Sequence, residues 1–596
     1  MKSTQAGSAD NKLAAFASRF LAEYLERNPT RATEAGEHRY DGRWPDMSEE
    51  GDAADRKFVE ARLSELAAIP EAELSLQRRV DRGTIENQLR YWLFAIDELK
   101  DAEHDPVLYT RMVGDGIDPL VTRDFAPLPE RMKSLLARLE GVPKIVEAAK
   151  KRLGHPAKIF TETAIQQNKG LIALCEHDLA ESFAKVPEQK AALEGAAKAA
   201  ATALQGFQQF LEKDLLPRSD GSFRIGRARF EKKLRFELDD AVDIDAVATG
   251  ARALLQKTQD EMADTARELW PTLMAPAPLP PMASADERRA AVRRVLDKLA
   301  DDHSDNATIL KEASDWLDQA TRFVKEHDLV GLPPSPCRVI EMPEYRRGVA
   351  IAYCDAAGPL EKKPETFFAI APTPKDWPKK RVDSFYREYN RSMLADLTVH
   401  EAMPGHYLQL MHNNEFDGGA TPVSMGPRAA PNPGPAEQAQ AGAAYPPGKL
   451  RAVFSSGPFV EGWAVYTEWL MSKYGFGGPK VRMERQKMVL RLAANAIIDH
   501  GVHAGSMEEK EALDLMMKDA FQEEGEAVGK WARARLSSAQ LTTYYYGFTE
   551  MMKLRAAHEK DPGFTERSYQ DRVIAYGSPS MRLLRTIFAE GAGTAR

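Results

Sequence analysis

A chain of 596 residues carries 81 Lys and Arg against 89 Asp and Glu, a formal net charge of −8. That mild acidity argues against a broad nucleic-acid or anionic-membrane surface. Three cysteines, Cys175, Cys337 and Cys354, have no C-x-x-C spacing, which argues against a disulfide framework or a thiolate metal site.

The first half reads as helix after helix. Leu13, Phe16, Phe20 and Tyr24 recur at steps of three and four, as do Met132, Leu135, Leu136 and Leu139 farther on. Residues 187–216 are Ala-rich, with Leu193, Leu204, Phe207 and Phe210 on one face, and end at Pro217. A proline-rich connector follows at Pro271–Pro281. Ser284, with Asp286 and Glu287 in the next turn, then starts a helix. A further helical pattern runs over 305–326.

The character changes near Gly331. Short β-type runs at 339–340, 349–353 and 367–370, separated by turn residues, predict a small sheet. Its edge could hold an extended peptide by main-chain hydrogen bonds, or it could be a plain structural hairpin.

Next comes Leu397-Thr-Val-His-Glu-Ala-Met-Pro-Gly-His-Tyr-Leu-Gln409. It is similar to the zinc signature H-E-x-x-H with two residues added. Six residues at about 100° each put His406 roughly 240° round from His400, so a straight helix could not aim both at one ion. Pro404 has no N–H to give and Gly405 accepts unusual backbone angles, so the pair predicts a bulge that returns His406 to the His400 face. In this pattern the glutamate, Glu401, is the general base for an attacking water. Residues 418–447 are rich in Pro, Gly and Ala without periodicity and predict a surface loop.

A site with two histidines needs a third ligand. Glu461 and Glu468 in Val460-Glu-Gly-Trp-Ala-Val-Tyr-Thr-Glu468 lie seven apart and share a helix face. Glu461 is the expected ligand and Glu468 a supporting group behind the ligands. Asp499 and His503 stand at i and i+4, so the carboxylate could orient the imidazole toward a substrate oxygen. Of Tyr544, Tyr545 and Tyr546, one could reach a polar site. There is no G-x-x-x-x-G-K-[ST], no strand-associated G-x-G-x-x-G and no G-x-S-x-G.

Taken in order, these segments resemble the bacterial family called domain of unknown function 885. Asn28-Pro29 with Ala32-Thr33 and Gly36 looks like its N-terminal element. His400-Glu-Ala-Met-Pro-Gly-His-Tyr-Leu-Gln409, Glu461-Gly-Trp-Ala-Val-Tyr-Thr-Glu468, Asp499-His-Gly-Val-His503 and Tyr544-Tyr-Tyr-Gly547 are similar to its later motifs. The resemblance implies a helical zinc metallopeptidase of the gluzincin type, with His400, His406 and Glu461 on Zn2+ and Glu401 as base. It implies His503 and Tyr544 as hydrogen-bond donors to the reacting oxygen, and an elongated helical body with a deep channel.

The expectation is therefore a mainly α protein with a helical lobe over 1–330 and a catalytic lobe over 331–596. The catalytic lobe holds a small sheet beside the active-site helix. The expected activity is zinc-dependent hydrolysis of short peptides. The alternatives are an amide hydrolase of non-peptide substrates and a non-catalytic peptide-binding protein. No membrane span and no signal peptide are visible, so the cytoplasm is the default compartment, with export and signal removal as the alternative.

Overall fold

The computed structural model describes residues 2–333, 335–342, 351–362, 365–374, 377–416, 445–446 and 448–591. It is mainly α-helical with one three-stranded sheet. Two compact units are present. One comprises Met1–Ile225, Ala357–Pro364 and Ala430–Val453; the other comprises Gly226–Ala356, Glu365–Ala429 and Phe454–Arg596. The first break thus falls at 225/226 rather than at 330. Its cause is the helix Ile244–Leu273, labelled α1, which packs along the helix Gly478–His503 of the second unit.

In the first unit the predicted apolar faces at 132–139 and 193–207 share one core. Leu120, Met132, Leu135, Leu139, Leu193, Leu204 and Phe207 are all buried together. The N-terminal element is a short helix, Pro29–Ala35, with proline in its first turn. It is tied down by the buried Arg138, which donates to the carbonyls of Asp41 and Pro29.

In the second unit Pro271 lies inside the last turn of α1, so the connector begins later than expected. Ser284 caps the helix Ala285–Ala300 through a capping box with Glu287. The sheet has strands β1 (Arg338–Glu341), β2 (Ala352–Asp355) and β3 (Phe367–Ile370). Their order is β1-β3-β2, with β1 parallel and β2 antiparallel to β3. Residues 349 and 350 of the predicted second run lie outside the described residues. The register pairs Ala352 with Ile370 and Asp355 with Phe367. Ile351 accepts from the Ala371 N–H at 2.7 Å, so the alternate residues Ala352 and Cys354 turn their main-chain groups away from β3.

Five more helices build the surroundings of the His-Glu segment: α2 (Arg391–Glu401), α3 (His406–Glu415), α4 (Gly457–Lys473), α5 (Gly478–His503) and α6 (Thr542–His558). α2 lies against α4, α5 and β2, and α4 lies along α6. The loop expected at 418–447 falls outside the described residues except for Tyr445 and Pro446. No helix among the described residues is long and apolar enough to cross a membrane.

Candidate metal centre

The two histidines do not sit on one bulged helix. α2 ends at Glu401 and α3 begins at His406, so the Pro404-Gly405 segment is a break between helices rather than a bulge within one. The turn is closed by the Gly405 N–H, which donates to the Val399 carbonyl at 3.0 Å. The Met403–Pro404 peptide is cis. Gly405 is required by close approach. A Cβ there would stand 1.9 Å from the His400 carbonyl oxygen and 2.4 Å from that of Val399. The Trp463 indole N–H donates to the Pro404 carbonyl at 3.0 Å and pins the turn to α4. The outcome is the one the motif needs: the rings of His400 and His406 face each other edge to face, with centroids 4.7 Å apart.

Glu461 completes the group. Its Oε2 lies 3.6 Å from Nε2 of His400 and 3.6 Å from Nε2 of His406. One donor atom from each of the three residues falls within 4.8 Å of the other two. Those 3.6 Å separations are long for hydrogen bonds. A tetrahedral zinc with bonds near 2.0–2.1 Å would hold neighbouring donors about 3.3 Å apart. Glu461 Oε2 is buried and has no hydrogen-bond partner among the described residues. Two imidazoles and a carboxylate are also the donor set zinc takes, so the residues present fit the ion.

The surroundings set the protonation. His400 Nδ1 meets Glu468 Oε1 at 2.6 Å, which leaves Nε2 toward Glu461 and His406. Burial pushes the His400 imidazole down, but Glu461 and Glu468 more than offset this and hold it well above the usual range. Burial pushes the Glu461 carboxyl up, and the two imidazoles reverse that and hold it well below the usual carboxylate range. Burial raises Glu401 against the pull of both histidines. Its Oε2 accepts the Cys354 N–H of β2 at 3.0 Å.

Tyr544 is the tyrosine that turns toward this group. Burial raises its phenol, the Glu461 charge raises it further, and Arg533 beside the hydroxyl lowers it. Tyr545 instead reaches toward Gly250, and Tyr546 donates to Asp240 at 2.5 Å. α6 comes close enough because two glycines meet at its crossing with α4. A Cβ on Gly462 would lie 2.5 Å from the Gly547 carbonyl carbon, and one on Gly547 would lie 2.0 Å from the Pro458 oxygen.

Asp499 and His503 are placed differently from the expectation. Asp499 accepts from the Ala539 N–H at 3.0 Å, and from the Thr542 N–H and hydroxyl at 3.1 and 2.7 Å. Its carboxylate holds the turn leading into α6 and makes no hydrogen bond to His503 among the described residues. His503 Nε2 meets the carbonyls of Ala534 and Ser537, both at 2.9 Å, and its ring stacks on Phe230. Spacing at i and i+4 permits the pair, but the 534–542 segment packs on both side chains and takes their hydrogen bonds. Arg533 and the Cys354 amide were not anticipated. Arg533 belongs to no motif, and a main-chain N–H has no signature in a sequence.

The chain belongs to the family described as "Bacterial protein of unknown function (DUF885)", whose model matches residues 29–587. Two solved structures are similar over nearly the whole length. A "putative lipoprotein of unknown function" from Shewanella oneidensis is 30% identical, with a TM-score of 0.79, covering 97% of this chain and 99% of the other. A "putative lipoprotein" from Colwellia psychrerythraea is 16% identical, with a TM-score of 0.77, covering 98% and 99%, and shows the shared fold. No curated protein matches.

Proposed function

We propose that this family member is a zinc-dependent hydrolase of peptide bonds in short peptides. The observation that supports the reading most is the convergence of His400, His406 and Glu461, with the half-buried Glu401 beside them. Bound at those three residues, zinc supplies Lewis-acid activation of a carbonyl and of water.

The remaining roles belong to the chain itself. Glu401 directly follows a ligand, and its raised carboxyl suits a group that takes a proton from water and returns it to the leaving amine. Its present partner, the Cys354 N–H, sits on the edge where an extended peptide could add as a strand. Glu468 keeps the His400 ring oriented. The Tyr544 phenol, kept protonated by burial and by Glu461, can donate to an oxygen that gains charge in the transition state. An amide hydrolase of non-peptide substrates would use the same residues. The similarity to the putative lipoprotein from Shewanella oneidensis supports an exported compartment for this chain.

The test joins metal content with turnover. Protein purified without an affinity tag is assayed by mass spectrometry for metal and against a peptide library, as wild type, His406→Ala and Glu401→Gln. The expected result is zinc in the wild type, its loss in His406→Ala, and zinc without turnover in Glu401→Gln. Wild type that takes up no zinc after addition refutes the mechanism. Zinc uptake with unaltered peptide affinity and no cleavage in any form would favour a non-catalytic peptide-binding protein.

A further inference from the structure

A second cavity lies in the same unit. It has a volume of about 500 Å³ and is bounded by α1, α4, α5 and α6. None of His400, Glu401, His406, Glu461 and Tyr544 lines it. The size is in the range of small-molecule sites.

Its walls are mixed, and they include the Glu261 carboxylate and the hydroxyls of Thr258, Ser472 and Thr549. Val489, Phe548, Leu254, Met552 and the face of Trp469 supply apolar surface. Lys257, Lys473 and Arg482 supply charge at positions open to solvent, and each is already paired: with Glu261 at 3.7 Å, with Glu566 at 3.0 Å, and with Glu268. Arg485 differs from these. It is 8% exposed, lines the cavity, and makes no hydrogen bond or ion pair among the described residues. Its Nε is buried without a partner. Glu468, Asp396 and Glu261 act on it through space, yet burial holds the guanidinium below its usual range. Beside it Gln486 is 6% exposed, and its side-chain oxygen has no partner.

A buried guanidinium with no direct hydrogen-bond or ion-pair partner among the described residues is costly in a stable fold. A guanidinium is also the side chain best matched to a carboxylate, through two parallel N–H donors. One guanidinium and one primary amide suit a monoanion; a phosphate dianion would meet too few donors. The apolar walls suit an aliphatic or aryl body. We infer that this cavity binds a small amphipathic carboxylate, with its anionic head on Arg485 and Gln486 and its apolar body against Trp469, Phe548 and Val489. This site is separate from the metal centre and does not depend on the peptidase reading.

The test is isothermal titration of the full-length protein with octanoate and phenylbutyrate, and with their neutral amides. Prior dialysis against a chelator removes carboxylate binding to metal from the signal. The expected result is saturable one-to-one binding of at least one acid. Binding should weaken by about thirtyfold or more for the amide, and likewise for the acid in Arg485→Met. Quenching of Trp469 fluorescence, absent in Trp469→Phe, should follow the same curve. Absence of saturable binding by both acids overturns the inference. So does equal binding of acid and amide, or unchanged binding in Arg485→Met. Should Arg485→Met fail to fold, the comparison of acid and amide on the wild type decides by itself.

Discussion

Gly405→Ala tests how the histidines are brought together. The added Cβ would begin 1.9 Å from the His400 carbonyl oxygen. An ordinary carbon–oxygen contact is about 3.3 Å, so one side must move by roughly 1.4 Å. Both neighbours in the way are backbone, on the carbonyls of Val399 and His400, so no side chain can swing aside. Metal sites tolerate about 0.2 Å in ligand distances. A shift several times larger, between residues that carry two of the three ligands, should lower zinc affinity by about a hundredfold or more. Stability should change far less visibly. Losing the Gly405–Val399 bond costs roughly 1–3 kcal/mol. In a unit this large each kcal/mol moves Tm by roughly 1–2 °C. Zinc affinity, measured by competition with a chromophoric chelator, is therefore the assay of choice. An alanine variant that binds zinc as tightly as wild type would refute the close-approach argument, and with it the account of the six-residue spacing.

Glu468→Gln should keep the fold and lower zinc affinity about 10–100-fold, because His400 loses its carboxylate partner; the same competition titration reads it. Metal-free His400 is held protonated well above its ordinary value of 6.5 by Glu461 and Glu468, so zinc must displace a proton. Proton release in weakly buffered solution at neutral pH, with affinity rising as pH rises, is the expected result, and no release would contradict it. The linked stability has the matching sign. In metal-free protein the His400 contribution is full below 6.5 and is lost as pH rises through the raised folded value, which urea melts with and without zinc should show. Gly462→Ala should push α6 off α4 and move Tyr544, lowering turnover more than zinc content; equal activity would show that the crossing can absorb a methyl group.

Much of the centre was legible because helices convert spacing into direction. Glu461 and Glu468 are two turns apart, and both point at His400 from α4. The same logic failed at Asp499 and His503. There the i, i+4 geometry is real, but a distant segment, 534–542, takes both side chains. The His400–His406 spacing was read correctly as impossible for a straight helix, yet the repair is a break with a pinned turn, and Trp463 as the pin could not be foreseen. The expected boundary near 330 follows the change from helical to β-type pattern at Gly331, which marks a change of local structure. Cores are set by packing, and α1 lies well before Gly331 while packing along α5 in the second unit. The Cys354 amide and the lone Arg485 were hidden for a shared reason. One is main chain, and the other matters for the partner it lacks, so neither leaves a pattern in the order of residues.

The polar atoms left over in the site bear on whether it holds a metal. Glu461 Oε2, Glu468 Oε2 and His406 Nδ1 are buried without hydrogen-bond partners. Each such atom costs about 1–3 kcal/mol in a fold that nothing else constrains. Small changes could have removed them, since a glutamine or an aliphatic residue at 461 would ease the burial of charge. Instead the carboxylate stands midway between two imidazoles, 3.6 Å from each. That spacing is too wide for strong hydrogen bonds and close to what an ion between them would impose. Glu468 spends its other oxygen on fixing the ring of one of those imidazoles. Unpartnered buried polar atoms thus surround the point where three donors converge. This is the pattern expected where function rather than packing has set the geometry.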